Sequence, residues 1–176
     1  MRVFVSVPVP DDLLAKVSAL GKELAQDGVS LVRPENMHLT LRFLGEMDEK
    51  RVGDVEQRLR AVRFGAFRCG LKGVGVFPDE NYVKVVWAGC ESGGKLEALA
   101  KDVMGALSGF GGDERFTAHL TIARVKKKID AKPFLARHKD DGFGSFEVKN
   151  FHLMQSVLKP TGPEYSVLAS FEAEGK

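Results

Sequence analysis

Two short strings in the chain place the same pair of groups at the same spacing, and both groups are suited to proton transfer and anion binding. In MHLTLRFLGE, Met37 to Glu46, His38 stands two residues before Thr40; in AHLTIARV, Ala118 to Val125, His119 stands two residues before Thr121. Side chains alternate faces along a strand, so each His shares a face with its Thr, roughly 6 to 7 Å away, while the intervening leucine points to the other side. An imidazole titrates near pH 6.5, so at neutral pH one member of a pair can hold a proton while the other accepts one. One then activates a nucleophile and the other protonates a leaving group across a central atom, with two hydroxyls left to bind its remaining oxygens. A phosphorus undergoing in-line displacement fits this set. Neither string carries a nearby Asp or Glu on the His face, and Thr is a poor zinc ligand, so the expected chemistry needs no metal and no cofactor.

The elements that must hold these groups repeat with them. His38 and His119 are 81 positions apart, and the same shift carries the alternating RVFVSV, Arg2 to Val7, onto VKVVWA, Val83 to Ala88. Each strand is followed by a helical stripe. In the first unit Asp11 or Asp12 is the expected N-cap, Leu13, Leu14, Val17, Leu20 and Leu24 form the stripe, and Gly28 stops it; in the second, Ser92 caps and Leu96, Leu99, Val103 and Leu107 form the stripe. After each histidine strand come a further helix (Asp48 to Val62; Ile129 to His138, weakened by Pro133) and a further strand (Phe67 to Phe77; Phe146 to Ser156), and GPEYSVLASFEA closes the chain. The expected fold is α+β, one domain over residues 1–176 made of two duplicated units, about 1–80 and 81–176. It is bilobal, with an antiparallel sheet and outer helices in each pseudo-symmetric lobe and a cleft between them.

Bulk properties fit this size and exclude other classes. The chain has 176 residues, 44% of them apolar and 28% charged, enough for one well-packed core. A net charge of +2 argues against tight, salt-driven binding of nucleic acid over the whole surface. Pro8, Pro10, Asp11 and Asp12 break the early apolar run, and no segment has the roughly 18 apolar residues of a membrane span, so a cytoplasmic protein is expected. Cys69 and Cys90 have no metal-ligand spacing and read as reduced thiols.

The paired motifs resemble the H-x-T-x signatures of the 2H phosphoesterase superfamily. RVFVSVPVP, GVGVFPDENYVKVVWAG (Gly73 to Gly89) and LKPTGPEYSVLASFE (Leu158 to Glu172) are similar to its RNA 2',3'-cyclic phosphodiesterase branch, also called the 2'-5' RNA ligase family. The resemblance implies metal-independent hydrolysis of 2',3'-cyclic phosphates to 2'-phosphomonoesters, on RNA ends or nucleotides, with possible reversal as 2'-5' ligation. It implies that His38 gives a proton to the departing 3'-oxygen, that His119 takes one from water, and that Thr40 and Thr121 hold the phosphate, although pseudo-symmetry makes the two histidine roles exchangeable. Arg124 matches a family arginine near the phosphate, yet it lies an odd number of residues from His119. Either the strand ends or bulges near Ala123, or Arg124 is a surface charge. Arg42 has the right parity but sits farther out, as a contact or a solvated charge. The expected partners are RNA with 2',3'-cyclic phosphate ends or cyclic nucleotides, with no membrane and a monomeric state. A cyclic phosphate on an ADP-ribose derivative is an alternative substrate, and a noncatalytic RNA-binding or nucleotide-sensing module is the alternative class.

Other signals are weaker. GCESGGKL, Gly89 to Leu96, has Walker A spacing up to Lys95, but Leu96 stands where a magnesium-binding hydroxyl is needed, which favours a capped strand-to-helix turn. Lys126, Lys127 and Lys128 read either as a solvated face or as an attraction for an RNA backbone near the cleft mouth. Tyr82 and Phe43 are candidates to stack a base, whereas Trp87 and Phe77 read as core. His138 and His152 have no Thr partner and are assigned no role.

Overall fold

The computed structural model describes residues 1–112 and 115–175. In chain order the elements are β1 (Arg2–Val7), α1 (Asp11–Gly21), β2 (Val29–Leu31), β3 (Leu39–Glu46), α2 (Glu49–Arg60), β4 (Phe67–Asp79) and β5 (Tyr82–Glu91). They continue with α3 (Lys95–Ala106), β6 (His119–Val125), α4 (Lys132–His138), β7 (Gly142–Val148), β8 (Asn150–Lys159) and β9 (Gly162–Glu172). The α+β architecture with an antiparallel sheet and helices packed against it is the one the repeat implies.

The strands form one sheet in the order β7-β4-β5-β6-β3-β1-β8-β9, with β2 added on β6. The two histidine strands are therefore neighbours at the centre. The closing strand of each sequence unit pairs with the opening strand of the other: β4 with β5, and β8 with β1. Helices cross the junction as well, α1 packing on β6 and β7 and α3 packing on β3. Each half-sheet thus draws strands and cover from both units, and the buried apolar residues form one core. That core runs through Val5, Leu39, Leu120, Ile122, Val17, Leu99 and Val103, all at most 2% exposed.

Local chemistry accounts for most element ends. Asp48 caps α2 by accepting from the Lys50 amide at 3.0 Å, and Ser92 Oγ accepts from the Leu96 amide at 2.9 Å at the start of α3. The expected Asp cap of α1 is replaced: Pro10 holds the cap position, fixing φ at −57° with no side-chain bond, and Asp11 and Asp12 lie in the first turn, where their charges favour the positive end of the helix dipole. Pro133 sits in the first turn of α4, where its missing N–H is harmless, rather than interrupting it. The single strand expected over Phe146 to Ser156 is two, broken at Lys149. Cys69 and Cys90 are both free thiols.

Candidate active site

The half-sheets are joined through one residue pair among the described residues, Leu39 opposite Leu120, with side chains 2% and 0% exposed. One residue to either side, the antiparallel register sets His38 across from Thr121 and Thr40 across from His119. The four groups stand at the corners of a rectangle roughly 5 Å across the strands and 6 to 7 Å along them, the histidines on one diagonal. The leucines point into the core and press both strands together, so the polar groups on the opposite face have little freedom to separate.

Each imidazole is walled by aromatic edges. His38 meets Tyr165 at 5.2 Å and 88°, and Phe4 at 6.0 Å and 77°. His119 meets Phe77 at 5.1 Å and 83°, and Trp87 at 6.5 Å and 62°. The Trp87 ring occupies the space above Gly75, where a Cβ would come within 2.2 Å of it.

The two rings differ in how their protons are placed. His119 Nδ1 lies 2.7 Å from the Thr117 carbonyl oxygen. A carbonyl only accepts, so Nδ1 carries the hydrogen, and in the neutral ring Nε2 is left with its lone pair. His38 Nδ1 is buried without a partner among the described residues. A lone pair there costs less than an orphaned N–H, so the neutral ring carries its proton on Nε2. Burial, followed by the nearby His152, lowers the His38 pKa to about 4.

This shift has a sign that can be checked. As pH falls below 6.5 the unfolded chain protonates His38, whereas the folded protein resists until about pH 4. Stability therefore declines as pH drops through that window, by about 3 kcal/mol in total, and this contribution is fully lost below it. Replacing His38 with Gln should flatten the denaturation midpoint between those limits, and an equally steep decline in both proteins would refute the burial of His38.

Bulges decide which arginine shares the histidine face. In β3, Ser6 pairs with Thr40 but Val5 pairs with Arg42, so Leu41 is an extra residue; in β6, Trp87 pairs with Thr121 but Val86 pairs with Ala123, so Ile122 is extra. The two bulges are 81 positions apart, like the histidines. Beyond each bulge the alternation reverses. Arg124 consequently returns to the histidine face and is exposed, while Ala123 is 0% exposed. Arg42 turns inward instead, 7% exposed, with Nη2 donating to the Phe110 carbonyl at 2.8 Å. Its parity from His38 is misleading for this reason, and Phe43, 50% exposed, takes the outward place.

Other expectations fare unevenly. Tyr82 is 59% exposed at the far end of β5, with Lys84 over its ring at 4.8 Å, and touches neither histidine. Trp87 and Phe77 are half-buried walls of the site rather than core. The three lysines are exposed, and Lys127 pairs with Asp27. His138 bridges Asp141 at 2.7 Å and Glu23 at 2.5 Å, a fastener between α4 and the turn after α1. Sequence reasoning missed Tyr165 and His152. His152 pairs with Ser6, which pairs with Thr40, so it lies on the same cross-strand row as the site; burial lowers its pKa, opposed by Glu172. Nothing in the sequence spacing connects either residue to His38, because both arrive on strands far along the chain. Among the described residues no cluster of three His, Cys, Asp or Glu side chains is grouped to hold a metal ion, and no helix is long and apolar enough to cross a membrane.

With this geometry in place, comparison with known proteins is decisive. The family model described as LigT like Phosphoesterase matches residues 3–87. A protein of Archaeoglobus fulgidus named RNA 2',3'-cyclic phosphodiesterase is 43% identical over 98% of this chain and 100% of its own length. The chain belongs to the LigT-like phosphoesterase family. A LigT-like phosphoesterase is a hydrolase of phosphate esters, the class to which paired imidazoles and hydroxyls point. The crystal structure of a Thermus thermophilus protein matches with a TM-score of 0.85 and 32% identity, covering 100% of both chains. That of E. coli LigT complexed with 3'-AMP matches with a TM-score of 0.83 over 99% of this chain and 98% of LigT; at 21% identity it speaks for the fold alone.

Proposed function

We propose that this LigT-like phosphoesterase opens 2',3'-cyclic phosphates, at RNA ends or on nucleotides, to 2'-phosphomonoesters without a metal. The observation that carries the reading is the register at Leu39 and Leu120, which gives two imidazoles on one diagonal and two hydroxyls on the other. The name of the Archaeoglobus fulgidus relative supports the substrate class. Bound at the centre of the rectangle, the cyclic phosphate has its non-bridging oxygens beside Thr40 and Thr121, with Arg124 on the same face adding positive charge. His119 Nε2 takes the proton of an attacking water, whose oxygen bonds to phosphorus. The bond from phosphorus to the 3'-oxygen breaks, and His38 Nε2 delivers the proton that makes the 3'-hydroxyl. For this His38 must be cationic, and the negative phosphate beside it raises its pKa against the lowering effect of burial. A 5'-hydroxyl of a second RNA in place of water would make a 2'-5' linkage by the same transfers.

Product analysis tests the direction of opening. Incubation with a nucleoside 2',3'-cyclic phosphate should yield only the 2'-monophosphate, resolved from its 3'-isomer by chromatography. Formation of the 3'-isomer would mean that the 2'-oxygen leaves and would overturn the assignment.

A further inference from the structure

Beside Thr40 and His119 lies a cavity of about 80 Å³, walled also by Arg42, Phe43, Arg115 and Thr117. Its volume is enough for several waters or one tetrahedral oxyanion. Arg42 is the unusual member. Its Nη2 is satisfied by the Phe110 carbonyl, but Nε is buried with no partner, and among the described residues no carboxylate forms an ion pair with it. A guanidinium held at 7% exposure with an orphaned N–H, and no counter-charge among the described residues, is costly unless an anion arrives to complete it. Arginine's rigid fork of donors suits phosphate oxygens in particular. Arg115 brings a second positive charge to the cavity wall and Thr117 a hydroxyl.

We propose that this cavity is a second anion subsite, taking the phosphate on the 5'-oxygen of the nucleotide whose cyclic phosphate is opened. The inference rests on the cyclic-phosphate reading given above and names the substrate class more narrowly: a cyclic phosphate carrying a neighbouring phosphate, as at the end of an RNA chain or on a 5'-phosphorylated nucleotide. Because Thr40 and His119 also wall the cavity, a phosphate held there adjoins the reacting one, as the 5'-phosphate of the same nucleotide does. The bulge at Leu41 makes the subsite possible, because it turns Arg42 inward beneath the site instead of out to solvent. Phe43, exposed at the rim, is left to face the base.

The test compares adenosine 2',3'-cyclic phosphate with its 5'-phosphorylated form. The expected result for wild type is a kcat/KM at least tenfold higher on the phosphorylated compound. Arg115→Ala should lower kcat/KM at least fivefold more on the phosphorylated compound than on the other, chiefly through KM. Arg42→Met should show the same selective loss, with its thermal midpoint recorded to separate misfolding from lost recognition. Equilibrium binding of both compounds to His119→Ala protein reads the subsite without turnover. Tighter binding of the phosphorylated form there supports the subsite even if hydrolysis fails, which would count against the proposed reaction alone. Equal kcat/KM on both compounds together with equal binding, or equal losses in the arginine variants, would overturn the subsite.

Discussion

His119→Ala is expected to lower kcat for cyclic-phosphate hydrolysis by about 10²- to 10⁴-fold, the usual contribution of a positioned general base. His38→Ala should cost a similar factor, and the double variant little more than either alone, because acid and base act on one displacement and their contributions do not add. The folded state should tolerate His119→Ala, since His119 is half-buried and its hydrogen bond reaches a carbonyl in the adjoining loop. Loss of that bond leaves the Thr117 oxygen, in that loop, to water. Steady-state kinetics on a nucleoside 2',3'-cyclic phosphate, with thermal midpoints measured beside them, check both points. Losses below tenfold in both single variants would remove the two histidines from the chemistry.

Leu120→Ala is expected to cost about 3 to 5 kcal/mol of stability, toward the upper end for a fully buried leucine. Leu120 is 0% exposed and forms, among the described residues, the only residue pair between β3 and β6, so the cavity left behind opens at the junction of the half-sheets. Neighbouring strands are tied to other elements on both sides and have little room to collapse around it. The same change should lower activity beyond the loss of folded protein, because Leu120 separates His119 from Thr121 and fixes the register of both against Thr40 and His38. Denaturant midpoints and kcat in the folded range check this pair of effects; a variant that lost less than about 1 kcal/mol would show that the junction is held by something other than this contact.

Much of this arrangement is legible in the chain. Alternation in Arg2 to Val7 gives the strand at its observed place, the leucine stripe gives a helix that ends at Gly21, short of the expected stop at Gly28, with Leu24 in a 3-10 turn beyond it, and the recurrence of HLT at an offset of 81 gives two equivalent strands. The partners of those strands are not legible. Periodicity states that β4 and β8 are strands, but which edge each joins is decided by packing between units, and each joins the other unit's opening strand. Simple parity misleads for the arginines for a local reason: an extra residue at Leu41 turns Arg42 inward, and an extra residue at Ile122, next to the bulge set out as an alternative near Ala123, returns Arg124 to the histidine face. Nothing in LTLRF or LTIAR marks a bulge, since neither string holds the glycine that often signals one. Tyr165 and His152 escape for a third reason, being brought to His38 only by the β8 and β9 hairpin folding beside β1.

The most direct test is the pH dependence of kcat/KM for a nucleoside 2',3'-cyclic phosphate in excess chelator. Two imidazoles acting as acid and base require a bell, with limbs that belong to the pair and an acidic limb carried below the ordinary histidine range by the burial of His38. The expected result is therefore an undiminished rate with chelator and a bell that loses a limb in the residual activity of each histidine variant. A rate abolished by chelation, or one rising steadily from about pH 5 to 9, outside any imidazole pair, would contradict it.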